Sequence, residues 1–277
     1  MAFPFFPPDD DPGPSFSELL RRSGLAPAVP TEKLEGVTHG TTVIAIRYAD
    51  GVVMAGDRRA TSGHLISHRT MEKVYPADRH SGVAIAGAAG PAMEMVKLFQ
   101  LQLEHYEKVE GTELSLEGKA NQLSAMVRGH LPAAMQGMAV VPLFAGYDLR
   151  RGGGRLFQYD VTGGRYEEAD FATTGSGSLH AGTVIKIGYR QGMSREETLD
   201  LGIQALFQAA DEDSATGGPD LVRGIYPTMA TITAAGFVSV TDDEIATRFR
   251  GLLDRLATTE STATVGDTPS MARGDRS

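Results

Sequence analysis

The order of elements is the tightest constraint in this sequence. From Thr41 onward, short strand-like runs come first and two helical stripes follow. Strands then return, a second pair of helical stripes follows, and more strands and one last helix close the pattern. A doubly wound parallel sheet needs a crossover helix between successive strands, and no such alternation is present. No glycine-rich phosphate loop joins a strand directly to a helix. Two antiparallel sheets packed face to face, with helix pairs on both outer sides, accommodate the order. The sequence therefore predicts an α+β fold, a four-layer αββα sandwich.

Val43, Ala45 and Arg47 alternate against Thr42, Ile44 and Ile46. The Asp50-Gly51 step then turns the chain into Val52–Ala55, and Gly51 is expected to take the positive φ of that turn. Further strands are expected at Met71–Tyr75 and Ser81–Gly87. Ala92, Met95, Val96, Phe99, Leu103 and Tyr106 repeat at helical spacing, with Pro91 near the first turn and Gly111 past the end. A second stripe, Leu116, Ala120, Leu123, Val127 and Ala134, is expected to bend at Gly129 and Pro132. The apolar run Ala139–Tyr147 reads as a buried strand. Leu156–Asp160 and Arg165–Phe171 read as a hairpin about Thr162-Gly163-Gly164.

Helices are expected at Ser178–Arg190 and Ser194–Ala210, the latter opening on a Ser194/Glu197 capping box. Strands at Tyr226–Ala234 and Phe237–Val240 follow. The last helix carries Ile245, Phe249, Leu252 and Leu256. The flanks differ. Residues 1–40 hold seven of the 14 prolines, with a short helix possible at Ser15–Arg22. They read either as a loose tail or as a pro-segment. Residues 258–277 lack periodicity and are expected to be a disordered tail.

Composition removes several function classes. The net charge is −9, and no Lys/Arg run has the density of a nucleic-acid or membrane patch. Cysteine is absent, which excludes disulfides, thiolate metal sites and a cysteine nucleophile. The N-terminus has no signal-peptide pattern, and no apolar run reaches the roughly 18 residues of a membrane span. A reducing cytoplasm is the simplest compartment. The seven histidines form no HExxH, so no metal is expected. A Ser-His-Asp triad stays open on histidine count alone, although no GxSxG elbow is present. No cofactor is expected.

The remaining chemistry centres on Gly40-Thr41. Thr41 either begins a strand, where threonine is common, or follows a cleavage. Glycine before it favours attack by Thr41 Oγ on the Gly40 carbonyl, because no side chain crowds the tetrahedral intermediate. Hydrolysis of the resulting ester leaves Thr41 with a free amine of pKa near 8, able to act as base for its own hydroxyl. The hairpin brings Asp57 back beside Thr41, and Lys73 lies in the next expected strand. A lysine there stabilises a developing alkoxide, and the carboxylate holds the lysine charged. Either residue alone reads equally as a solvated surface charge. Gly87 ends the strand in 84-AIAGAAG-90 and offers a backbone N–H to an oxyanion, or simply turns the chain toward Pro91. The loops 175-GSGS-178 and 211-DEDSATGG-218 are compatible with plain helix caps.

With these residues in view, the chain resembles β subunits of the proteasome core particle, closest to the actinobacterial type, from about His39 to Leu256. The carrying motifs are 39-HGTTVIA-45, 51-GVVMAGDRRAT-61, 72-EKVY-75, 84-AIAGAAG-90, 129-GHLPAAMQG-137, 175-GSGS-178 and 211-DEDSATGGPDLVRGIYP-227. The resemblance implies the N-terminal nucleophile hydrolase fold. It implies Thr41 as nucleophile, Asp57 and Lys73 as its charge pair, and Ser176 and Asp213 as supports around the terminal amine. Thr216 stands where the family carries a serine. The backbones of Thr61, Gly87 and Ala89 would pair with an extended substrate. Ala60, Met71, Ile85, Ala89 and Ala92 would line an apolar pocket for the side chain before the cut.

The same resemblance implies a propeptide at 1–40, removed by autocleavage, and a catalytic domain at 41–257. Losing 1–40 removes six acidic and three basic residues and takes the formal charge from −9 to −6. It further implies proteasome α subunits as partners and homo-heptameric β rings in a four-ring stack. A regulatory ATPase ring would feed in unfolded, tagged proteins. A catalytically silent ring subunit is the alternative, but Gly40, Thr41, Asp57 and Lys73 are all present here. A related two-ring bacterial protease resembles GDGQ where this chain reads Gly56-Asp57-Arg58-Arg59. A small-amide hydrolase of the same fold fits the long, loop-poor match poorly.

Overall fold

The computed structural model describes residues 40–264, with side chains up to 258. The chain opens with β1 (Thr42–Tyr48) and β2 (Gly51–Gly56), then a small hairpin, β3 (Ala60–Ser62) and β4 (Leu65–His68). Next come β5 (Val74–Asp78) and β6 (Ser81–Gly87). Helices α1 (Ala89–Glu110), α2 (Leu116–Gly129) and the single turn α3 (Leu131–Ala134) follow. Then come β7 (Val140–Asp148), β8 (Gly153–Tyr159), β9 (Arg165–Glu168) and β10 (Phe171–Gly175). The last elements are α4 (Ser178–Gly188), α5 (Arg195–Glu212), β11 (Thr228–Thr233), β12 (Gly236–Ser239) and α6 (Asp242–Thr264).

Two five-stranded antiparallel sheets result, ordered β10-β1-β2-β11-β12 and β5-β6-β7-β8-β9. Three apolar layers hold them. Val43, Ala45, Met54, Leu143, Leu156 and Ile232 fill the space between the sheets. Ile44, Ile46, Val53 and Met229 face α4, α5 and α6 through Ile185, Leu199, Leu206 and Phe249. On the other side, Val83, Phe144 and Phe157 pack on Phe99, Leu103 and Leu123 of α1 and α2. The period-2 alternation of β1 thus divides its side chains between two cores, as a central strand of a sandwich must. The predicted four-layer αββα architecture is the one found.

Local signals account for several boundaries. Gly111 ends α1 in the left-handed conformation at φ 68° and donates to the Glu107 carbonyl. The Ser194/Glu197 capping box is formed at the start of α5. Gly129 ends α2, and Pro132 sits in the first turn of α3, so the expected bend is a break.

Other expectations need correction. The β1–β2 turn is Ala49-Asp50, and Gly51 is already in β2 opposite Tyr48 without a positive φ. Gly51 is required by packing, because a Cβ there would lie 2.0 Å from the Ile232 carbonyl oxygen. The strand expected at Met71–Tyr75 begins only at Val74, leaving Lys73 just ahead of it. The β3–β4 hairpin was not anticipated. The strand expected at Arg165–Phe171 is two strands. β9 stays in the second sheet, and β10 crosses to pair with β1. The tail expected from Thr258 is helical to Thr264, because no glycine or proline lies between Gly251 and Gly266 and an established helix propagates at little cost. The expected helix at Ser15–Arg22, the predicted propeptide up to residue 39 and residues 265–277 lie outside the described residues.

Candidate active site

Register delivers the first pair of residues. Val43 stands opposite Gly56, and the Asp57 N–H donates to the Thr42 carbonyl at 3.1 Å. This returns Asp57 to the start of β1, as the hairpin predicted. Lys73 reaches the same point from the second sheet, where its carbonyl accepts from Ile85 N–H at 2.9 Å. Lys73 Nζ and Asp57 Oδ1 are 2.7 Å apart, and both side chains are buried, with 1% and 0% exposure. Asp57 also accepts from three backbone N–H groups, those of Thr42, Arg59 and Gly217, each at 2.9 Å. Lys73 donates in addition to the Arg59 carbonyl at 2.6 Å. Such a pair is stable in a dry interior only because nearly every lone pair and proton is matched. Burial pushes the Lys73 pKa below its ordinary value of 10.5, against the opposing charge and hydrogen bond of Asp57.

Thr41 and Gly40 lie against this pair. Thr41 Oγ donates to the Gly40 carbonyl oxygen at 2.8 Å, and Lys73 Nζ lies 3.5 Å from that oxygen. The Gly40 N–H donates to Thr61 Oγ at 3.2 Å. A Cβ on Gly40 would fall 1.7 Å from the Ala215 Cβ, so only glycine fits. Gly40 is therefore held at its N–H, its carbonyl and its Cα.

On the other flank, β10 ends beside Thr41. Thr42 is registered with Gly175, and Ser176 N–H donates to the Thr41 carbonyl at 2.8 Å. Gly175 has φ 102°, and a Cβ there would lie 1.8 Å from the Thr41 carbonyl oxygen. Thr41 N–H points to Ser176 Oγ at 3.3 Å. Ser176 Oγ donates to Asp213 Oδ2, and Thr216 Oγ donates to the same oxygen at 2.6 Å. Burial works to raise the Asp213 pKa. Hydrogen bonds from Ser176, Thr216 and the Ala215 N–H, with the charge of His180, outweigh it and leave the carboxyl below its ordinary value. The serine-to-threonine departure at 216 keeps the hydroxyl in hydrogen-bonding position.

Beside Thr41 is a small, mostly apolar cavity of about 10 Å³, lined by Gly40, Thr41, Ala60, Met71, Ile85, Ala86, Gly87, Ala89 and Ala92. The cavity residues expected from the sequence are thus brought together. Thr61 is not on its wall and instead holds Gly40. Gly87 borders it with φ 112°, and a Cβ there would meet the Ala139 carbonyl oxygen at 2.0 Å. A roomier cavity of about 550 Å³, among Arg58, Arg69, Phe207, Tyr226 and Phe249, does not border Thr41. Sequence reasoning missed Arg59, Ala215, Gly217 and Ala86. Three of them act through backbone groups or bare Cβ packing, which leave no side-chain signature. Among the described residues no group of three or more His, Asp or Glu is arranged to hold a metal ion. No described helix is long and apolar enough to cross a membrane.

Comparison with known proteins gives the family of the chain. The family described as "Proteasome subunit" matches residues 37–222. A protein named "Proteasome subunit beta" from Acidimicrobium ferrooxidans is 56% identical over 254 residues, covering 89% of this chain and 92% of its own length. One of the same name from Streptomyces griseus subsp. griseus is 58% identical over 217 residues, covering 78% and 77%.

Proposed function

Because this chain belongs to the proteasome subunit family, we propose that it is a catalytic β subunit of the core particle, a threonine endopeptidase with Thr41 as nucleophile. One observation carries the reading: Thr41 Oγ and the buried Lys73 ammonium converge on the Gly40 carbonyl. A silent ring subunit has no use for that convergence.

The chemistry runs in two rounds. Thr41 Oγ attacks the Gly40 carbonyl carbon, and Lys73 lowers the cost of the charge that develops. The C–N bond breaks, the nitrogen takes the proton that Oγ gives up and becomes an amine, and Gly40 is left as an ester on Thr41 Oγ. Water hydrolyses the ester, releasing residues 1–40 with a Gly40 carboxylate and restoring the Thr41 hydroxyl beside the free amine. In the second round that amine takes the Oγ proton as the hydroxyl attacks a substrate carbonyl. Gly87 N–H receives the oxyanion. The leaving amine departs with the proton, and water releases the acyl group. Ser176, Asp213 and Thr216 hold the amine in place. Thr61, Gly87 and Ala89 pair with the extended substrate, and Ala60, Met71, Ile85, Ala89 and Ala92 receive an apolar side chain.

The assembly implied by the family belongs to the same proposal. It comprises α subunits, seven-membered β rings in a four-ring stack, an ATPase ring and unfolded, tagged substrates in the cytoplasm. Intact mass and N-terminal sequencing after co-assembly with the α subunit test the reading. The expected mature chain begins at Thr41, and any other start overturns the mechanism. Thr41→Ala is expected to leave the precursor uncut and peptides intact. Lys73→Ala should likewise abolish processing, and a Lys73→Ala chain that still matured would remove lysine from the first attack.

A further inference from the structure

Thr42 has no part in the mechanism so far beyond its backbone, yet its side chain is fully buried in the site. Its Oγ lies 2.6 Å from Thr216 Oγ and accepts from Gly177 N–H at 3.0 Å. The direction of the Thr42–Thr216 bond follows from counting protons. A carboxylate only accepts, so the single hydroxyl proton of Thr216 is committed to Asp213 Oδ2 at 2.6 Å. The proton between the two threonines is therefore Thr42's.

A directed chain results. Gly177 N–H donates to Thr42, Thr42 to Thr216, and Thr216 to Asp213. From the other side Ser176 donates to Asp213 and accepts from Thr41 N–H at 3.3 Å. Gly177 makes room for it, since a Cβ there would lie 2.4 Å from Thr42 Oγ and 2.8 Å from Thr216 Oγ.

We propose that Thr42 is a positioning residue for the reaction, its hydroxyl aiming Thr216 at Asp213 and thereby setting the proton affinity of the freed Thr41 amine. The proposal rests on Thr41 being the nucleophile. Hydrogen bonds in series polarise one another. Without the Thr42 proton, Thr216 donates more weakly to Asp213, and the carboxylate draws harder on Ser176. Ser176 Oγ then becomes a better acceptor for the amine's protons, which favours the ammonium form. The other charged groups around this chain are Lys73 before β5, Asp57 and Arg59 after β2, and His180 on α4. None of them is altered by a change at Thr42.

The test is the pH profile of kcat for a short fluorogenic peptide, using the full chain assembled with its α subunit. Thr42→Val keeps the shape and deletes the hydroxyl. Its acid limb is expected to move to higher pH by about half to one unit, lowering kcat about three- to tenfold below the limb, with KM unchanged because Thr42 does not line the cavity. Thr42→Ser should restore the original limb. A valine variant with an unshifted limb, or a serine variant shifted like valine, overturns the proposal. If valine does not assemble, Thr42→Ala makes the same deletion. If both fail while serine assembles, the hydroxyl serves folding and the proposal is likewise overturned. Thr41→Ala in parallel keeps the two readings apart, since activity there defeats the nucleophile assignment itself.

Discussion

At the scale of single residues, Gly40 is constrained by packing as much as by chemistry. Its missing side chain would occupy the space of the Ala215 Cβ, 1.7 Å away. Gly40→Ala should therefore displace the scissile carbonyl from Thr41 and Lys73 and slow maturation at least tenfold, since misplacement by about 1 Å costs on the order of 10²-fold. Adding Ala215→Gly should recover only part of that loss, because a Cβ at position 40 would still lie 2.8 Å from the Ala215 Cα. Intact mass against time reads both, and a Gly40→Ala chain maturing at the normal rate would show that the contact does not govern the cut. Lys73 makes a second residue-scale prediction. The mechanism needs its charge, and burial disfavours that charge, so activity should fall as pH rises through a value below 10.5. Lys73→Arg stays charged throughout, because guanidinium does not deprotonate in this range. It should lower kcat through altered geometry while abolishing the alkaline limb. An alkaline limb unchanged in the arginine variant would assign it to another group.

At the scale of elements, the cavity beside Thr41 is built where β3, the approach to β5, β6 and the first turn of α1 meet. With a volume of about 10 Å³ it holds roughly one water, so a bulky apolar side chain enters only if Met71 moves. Methionine is suited to that, being unbranched and able to repack. Met71→Ala should raise kcat/KM for peptides with Leu or Phe before the cut relative to those with Ala, and a peptide panel ranked as in the unaltered protein would place the size limit elsewhere.

The same elements show what was legible beforehand. Asp57 followed from the hairpin, because an antiparallel pair fixes register by local sequence. Lys73 was found although its strand begins one residue later, since the chain needed only to pass the site. β10 was hidden because Ala169-Asp170 interrupt the apparent strand without a glycine or proline, and the switch between sheets is a long-range event. Gly51 was correctly singled out for the wrong reason, since contact with Ile232 leaves no trace in local sequence.

At the scale of the molecule, the site is a junction between the two sheets. Thr41, Asp57 and Ser176 come from the first, Lys73 and Gly87 come from the second, and Asp213 and Thr216 come from the loop after α5. Its geometry is then only as firm as the apolar layer that joins the sheets. Leu156 tests this, as a fully buried member of that layer on β8, three strands from β5. Leu156→Ala removes buried methyl groups and leaves a cavity, which should cost about 2–5 kcal/mol of stability. None of the polar partners of Thr41 or Lys73 is touched. Chains that mature should therefore keep their acid and alkaline limbs in place, while the unfolding midpoint falls and the fraction matured at elevated temperature falls with it. Denaturant unfolding together with a pH profile separates the two effects. Displaced limbs in Leu156→Ala would show that the layer between the sheets also tunes the charges at the site, and that scaffold and electrostatics are not separable in this fold.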